Sequence, residues 1–225
     1  MVLGFARAGA RVAFTWSRRE GDAEETLRLL AAEGAEALSF RGSVTDAAHA
    51  RATVDAVVGA WGGLDVLVCN ASVTRVLPIA LLEEADWDEV MDTNVKGAYL
   101  FSRAALRPMI RARKGHLLMV GSVAGDRVMA SPVHFAASKA ALVGFARALA
   151  REVGRHGIAV NVLSPGLLDE GLSRRLPEHR LREYVEHCAL GRLGTVDEVA
   201  EVATWLVSGE NTFMSGSRVD LDGGL

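Results

Sequence analysis

The chain has 225 residues, 50% of them hydrophobic and 24% charged, which suits one soluble domain with a sizeable core. Its formal net charge of −3 gives no support to a general nucleic-acid or membrane-surface role. No apolar run approaches the ~18 residues that a membrane span needs.

The first residues, MVLGFARAGARVAF, lack the charged region and unbroken apolar stretch of a signal peptide. Cys69 and Cys188 lie far apart and match no metal-site spacing, and the six histidines show no paired spacing with carboxylates. Reduced thiols, no metal and a cytoplasmic location are the resulting expectations.

Short apolar, β-branched runs alternate with longer amphipathic stretches. Residues 12–15 read as a strand, 22–35 as a helix with Leu27, Leu29, Leu30 and Leu38 as core candidates, and 37–40 as a short strand. A helix is predicted over 47–61, and Gly62-Gly63 then punctuates the turn into a buried strand at 64–68. Helical patterns at 86–113 precede a strand at 116–120, and a long helix at 132–154 precedes a strand at 158–163. Helices near 172–188 and 196–207 and a strand at 217–221 complete the pattern. Such alternation predicts an α/β domain: a Rossmann-like, doubly wound parallel sheet with helices on both faces. Its strands read as continuous apolar runs because both faces are covered. Residues 165–192 are rich in charge and follow a strand end, so they are a candidate substrate lid; a solvated helical insertion fits equally.

The segment Gly121-Ser-Val-Ala-Gly125, followed by Phe135-Ala-Ala-Ser-Lys139, carries the chemistry. Residues four apart on a helix share a face, so position 135 and Lys139 point together, towards the end of the strand that carries Ser122. Read alone, the pair also fits a surface lysine and a serine in a turn.

Seven segments, in order, resemble the short-chain dehydrogenase/reductase family across almost the whole chain, and most of all its 3-oxoacyl-ACP reductases and related 3-hydroxyacyl dehydrogenases. They are residues 64–72 (LDVLVCNAS), 94–97 (NVKG), 121–125, 135–139, 161–166 (NVLSPG), 191–194 (GRLG) and 219–224 (VDLDGG). The resemblance implies that Ser122 fixes a substrate carbonyl, that Lys139 holds the nicotinamide ribose, and that Asn94 supports a proton-relay water. The family's acid/base tyrosine position holds Phe135, which has the ring but no hydroxyl to exchange a proton. His134, one position along, is rotated ~100° around the helix. Tyr99 reads as core or interface, and Tyr184 lies in the lid segment and is a replacement to consider.

On the cofactor side, the resemblance points to Arg18, Asn70, Pro165 and Gly166, with Arg18 and Arg19 placed where a basic residue favours the NADP 2′-phosphate; solvated arginines at a turn fit as well. The family opens with a strand and a glycine-rich turn that meets the pyrophosphate. Here the first residues resemble the second half of the helix that follows, and no other glycine-rich turn occurs. Ser43 stands at the family's adenine-side aspartate, Ser72 at a glycine that lets backbone approach the cofactor, and Glu170 at a threonine that meets the carboxamide. These departures lead to the expectation of no cofactor for the chain as it stands, and of NADP(H) or NAD(H) if an upstream start restores the turn. A missing central strand would leave buried backbone groups unpaired at ~1–3 kcal/mol each, so an upstream segment or another chain is expected to fill the gap.

Three functions compete. One is a non-catalytic subunit that partners a catalytically complete paralogue, in a homo- or hetero-oligomer built on helices 86–113 and 132–154. The second is an active NAD(P)-dependent oxidoreductase with an altered acid group, reducing a 3-oxoacyl thioester or related ketone. The third is a repurposed, cofactor-free pocket that uses Lys139 and Ser122 as electrostatic groups.

Overall fold

The structure, a computed structural model, describes residues 1–126 and 131–225. The strands are β1 (Val12–Trp16), β2 (Ala37–Arg41), β3 (Val66–Cys69), β4 (Gly115–Val120), β5 (Ile158–Pro165) and β6 (Arg218–Leu221). The helices are α1 (Val2–Arg7), α2 (Glu20–Ala32), α3 (Ala47–Trp61), α4 (Glu84–Met91), α5 (Gly97–Ala112), α6 (Val133–Val153), α7 (Glu178–His187) and α8 (Val196–Leu206). All strand pairs are parallel, as the alternation of elements predicts. They form a two-stranded sheet, β1-β2, and a four-stranded sheet, β3-β4-β5-β6. Among the described residues β1 pairs with β2 alone and β3 with β4 alone.

Strand side chains sort by the two-residue period. Leu117 and Met119 of β4, with Ile158, Val160 and Val162 of β5, pack under Leu142, Ala146 and Leu149 of α6 and Met109 of α5. The intervening Leu118 and Leu163 point the other way, against Val199, Ala203 and Leu206 of α8. Leu117, Leu118 and Met119 are each 1% exposed or less, which is why β4 is apolar without alternation. The β1-β2 pair has its own core of Ala6, Val12 and Leu30. Phe5 of α1 packs against both this core and the α8 side of the larger sheet, so α1 joins the two.

Local signals place the element ends. The Asp46 carboxylate accepts the Ala48 amide proton at 2.7 Å and starts α3, and Gly62 ends it at φ 79°. Thr195 and Glu198 cap α8 reciprocally.

Two predicted helices are broken. The 86–113 pattern divides into α4 and α5 around a π-helical turn, Asp92–Lys96. Residues 172–188 divide into a 3₁₀ turn, Gly171–Arg175, and α7, with Pro177 as the N-cap of α7.

Candidate active site

The candidate residues gather at the carboxyl ends of the parallel strands, where open α/β sheets hold their ligands. Arg18 follows β1, Asn70 follows β3, Ser122 follows β4, and Pro165 and Gly166 lie at the end of β5. Arg18 is largely exposed and reaches the Glu89 carboxylate of α4 at 3.6 Å. Ser43, after β2, shares a hydrogen bond with Thr45 at 2.8 Å. Glu170 turns outward to Arg174 at 3.5 Å, so its charge is shared with that guanidinium.

Ser122 opens a 3₁₀ turn, and its hydroxyl accepts the Ala124 amide proton at 3.2 Å. That turn packs tightly on α6: a Cβ at Gly125 would lie 2.7 Å from the Ala140 nitrogen, so only glycine fits. The contact fixes the serine against the helix that carries position 135 and Lys139.

Lys139 is 4% exposed. Its ammonium donates to the Val120 carbonyl at 2.8 Å and lies 5.5 Å from the centre of the Phe135 ring. Burial pushes its pKa down to about 8. An ammonium has three N–H donors, and the bond to Val120 uses one of them.

Asn94 sits in the π-helical turn and is 2% exposed. Its Oδ1 accepts the Val73 amide proton at 2.8 Å, and its Nδ2 donates to the Val73 carbonyl at 3.1 Å and to Ser138 Oγ at 2.9 Å. Ser138 in turn donates to the Phe135 carbonyl at 2.7 Å. Asn94 thus ties the segment after β3 to α6, beside position 135. The extra residue of a π turn is what turns such a side chain inward, and such turns cluster at functional sites.

His134 and Phe135 part as their helical rotation requires. His134 is completely buried, and neither ring nitrogen has a partner among the described residues. Burial lowers its pKa, and Asp86 opposes that shift. Tyr184 does not stand in for the missing hydroxyl. Its O–H donates to the Asp222 carbonyl at 2.8 Å and lies against Gly166, so it pins α7 to the chain after β6. Tyr99 is 45% exposed on α5, so it is not part of the core.

Sequence reasoning missed a knot under the candidate lid. Cys188 Sγ lies 3.3 Å from the Gly223 carbonyl, and a Cβ at Gly223, where φ is 71°, would lie 2.5 Å from that sulfur. The GG of VDLDGG was the available signal. Also missed was Arg218, which bridges Asp126 at 2.8 Å and Asp220 at 2.7 Å.

Polar groups near the strand ends are left without partners. Ser72, Thr74 and Ser164 have buried hydroxyls with no partner among the described residues, and Lys139 has spare N–H donors. Hydroxyls and an ammonium at strand ends suit the ribose, amide and phosphate oxygens of a dinucleotide.

A family model described as enoyl-(acyl carrier protein) reductase matches residues 1–225. A 3-oxoacyl-[acyl-carrier-protein] reductase of Pseudomonas aeruginosa is 35% identical over 225 residues, covering all of this chain and 91% of that protein. The chain belongs to the short-chain dehydrogenase/reductase family. The corresponding Escherichia coli reductase is 31% identical over 192 residues, or 85% of this chain and 79% of that protein. Among solved structures, a gluconate 5-dehydrogenase from Burkholderia cenocepacia in complex with NADP and tartrate has a TM-score of 0.93 and 30% identity, covering 100% of this chain and 88% of that one. A short-chain dehydrogenase/reductase of Serratia marcescens superposes with a TM-score of 0.92 and 29% identity, covering 99% and 91%.

These matches correct one expectation. The chain was expected to hold no cofactor as it stands, yet a protein of the same fold across all of it carries NADP. The physical reason is that the strand-end groups are themselves part of a dinucleotide site, and Lys139 keeps N–H donors for it whatever precedes residue 1.

Proposed function

We propose that the chain is an NADP(H)-dependent reductase of a 3-oxoacyl thioester or related ketone, in which Lys139 supplies the proton that a tyrosine supplies elsewhere in the family. The observation that carries this reading is a buried lysine with no carboxylate partner among the described residues, beside the Phe135 ring and the turn of Ser122. Likeness to 3-oxoacyl-[acyl-carrier-protein] reductases supports the substrate class, and the NADP-bound neighbour supports the cofactor.

The dinucleotide would lie along Arg18, Asn70, Pro165 and Gly166, and it supplies a hydride when bound. The protein's own task is the ketone oxygen. Ser122 donates its hydroxyl proton in a hydrogen bond to that oxygen and orients it. As negative charge builds there, the Lys139 ammonium transfers one proton to it and becomes a neutral amine, which a solvent proton restores. Phe135 walls the site beside the ammonium, and burial lowers the lysine's pKa to about 8, which makes its proton easier to give. Asn94 holds the Val73 segment and α6 in register.

Because the acid must be protonated, the rate of ketone reduction falls as pH rises through about 8. Lys139→Met lowers kcat by ~10²-fold or more, and Phe135→Tyr raises it and moves the alkaline limb, because the phenol takes over the proton. Oxidation of NADPH by acetoacetyl-CoA, followed against pH in the three proteins, tests this. Loss of the hydroxyl at Phe135 favours a second reading, a non-catalytic subunit of a complete paralogue. Wild-type protein that binds NADPH without turnover, with activity appearing in Phe135→Tyr, would establish that reading instead. Self-association through α4, α5 and α6 fits either reading, with Tyr99 exposed on that surface, and so does a cytoplasmic location. No helix among the described residues is long and apolar enough to cross a membrane.

A further inference from the structure

The turn that carries Ser122 is short and is held from outside. It has three residues, Val123–Gly125, in 3₁₀ form, whose hydrogen-bond geometry is poorer than that of an α-helix. Its backbone bonds run from the Gly125 amide to the Ser122 carbonyl at 3.2 Å and from the Asp126 amide to the Val123 carbonyl at 3.1 Å. On one side Gly125 lies against the α6 backbone at Ala140. On the other, the next residue, Asp126, meets Arg218 of β6 at 2.8 Å. The turn matters because the Ser122 hydroxyl accepts the Ala124 amide proton. That bond orients the oxygen and leaves its own proton to donate, and it lasts only while the turn keeps its shape.

Side chains alternate along β6. Val219 and Leu221 pack against the α8 core, so Arg218 and Asp220 face the α6 layer. There the Arg218 side chain is 14% exposed, and its Nη2 reaches Asp126 at 2.8 Å and Asp220 at 2.7 Å. That nitrogen carries two N–H groups, one for each carboxylate. Asp220 sets the guanidinium from within its own strand, and the guanidinium reaches past β5 to the end of the Ser122 turn. Pairs between well-exposed side chains, such as Arg28 with Glu25, contribute little. A mostly buried guanidinium is less screened, and its charge-assisted bonds hold their geometry better. We propose that Arg218 is a positioning residue for catalysis: through Asp126 it holds the turn so that the Ser122 hydroxyl presents its proton to the ketone oxygen, an inference that rests on the ketone-reductase reading.

Reduction of acetoacetyl-CoA by NADPH in Phe135→Tyr protein, where a phenol supplies the proton, tests this whether or not the wild type turns over. In that background Arg218→Met should lower kcat about tenfold and leave the Kd for NADPH unchanged. Arg218→Lys keeps a charge and enough donors for both carboxylates, so it should recover part of the loss. In Ser122→Ala, Arg218→Met should cost nothing further, because both changes act through one hydroxyl. An equal loss with and without that hydroxyl would make Arg218 merely structural and overturn the proposal. Asp126 is 57% exposed, so Asp126→Ala gives the same test in a protein that folds normally; an unchanged kcat there would overturn the proposal too. Hydrogen exchange needs no turnover. In Arg218→Met the amides of Ala124, Gly125 and Asp126 should exchange faster while those of Leu117 and Val160 keep their protection. Unchanged exchange at the turn would refute the tie even if every variant were inactive. No reduction by Phe135→Tyr, with those amides quickened, would overturn the reductase reading and not the tie.

Discussion

At the scale of single residues, α6 places two adjacent side chains in opposite circumstances. Phe135 borders the lysine that chemistry needs, while His134 is sealed in the packing between α6 and α4. An imidazole with both nitrogens unpartnered is tolerable only when neutral. Its folded-state pKa lies below 6.5 because burial disfavours the charge; the Asp86 carboxylate pulls the other way but does not win. The unfolded chain therefore binds more protons than the folded one between that lowered pKa and 6.5. Stability should be independent of this group above 6.5 and should fall as pH drops through 6.5 towards the folded value. His116, half-buried in β4, adds a slope of the same sign. Urea midpoints across about pH 5 to 8 should show His134→Phe with a shallower acid loss than wild type, the remainder coming from His116. An unaltered slope in His134→Phe would mean that the imidazole is already solvated.

At the scale of elements, the site depends on two ties between segments remote in sequence. Asn94 stitches the post-β3 segment to α6, and Tyr184 stitches α7 to the chain beyond β6. The second tie defines what the candidate lid can do. Tyr184 is 6% exposed, and its hydroxyl hydrogen bond, together with the Cys188 sulfur packed on Gly223, holds the C-terminal end of α7. Tyr184→Phe keeps the ring and removes one bond, which costs about 1 kcal/mol. Hydrogen exchange should quicken in α7 and around Asp222 while β4 and β5 stay as protected as in wild type. A uniform change across the molecule would show that α7 does not open separately. These ties were illegible beforehand for a physical reason. Helical periodicity predicts helical patterns from 86 to 113 but does not locate a π turn, because one inserted residue shifts the apolar stripe without ending it. A hydrogen bond from residue 184 to residue 222 leaves no periodic trace at all. What the spacing of Ser122, position 135 and Lys139 did reveal was a shared face, since i and i+4 positions stack whatever surrounds them.

At the scale of the whole molecule, the alternation of strands and helices fixes a parallel sheet and its two helical layers, while the division of that sheet is a matter of pairing. β1 and β3 are each apolar enough to be central strands, yet among the described residues each bonds on one side. Continuous apolar runs record burial on the two faces and carry no information about lateral neighbours. α1 packs between the β1-β2 pair and the larger sheet, with Phe5 against both cores. β1 is less buried than β4 and β5, and less buried strands open more readily. Amides of Phe14 and Thr15 should therefore exchange faster than those of Leu118 and Val162 in the native protein. Phe5→Ala removes the ring common to both cores, at a cost of roughly 1–3 kcal/mol for a partly buried aromatic. Its effect should fall mainly on β1 and β2, separating their exchange further from that of β4 and β5. Equal acceleration in all four strands would instead mean that the two sheets unfold as one cooperative unit, with α1 as its centre rather than its hinge.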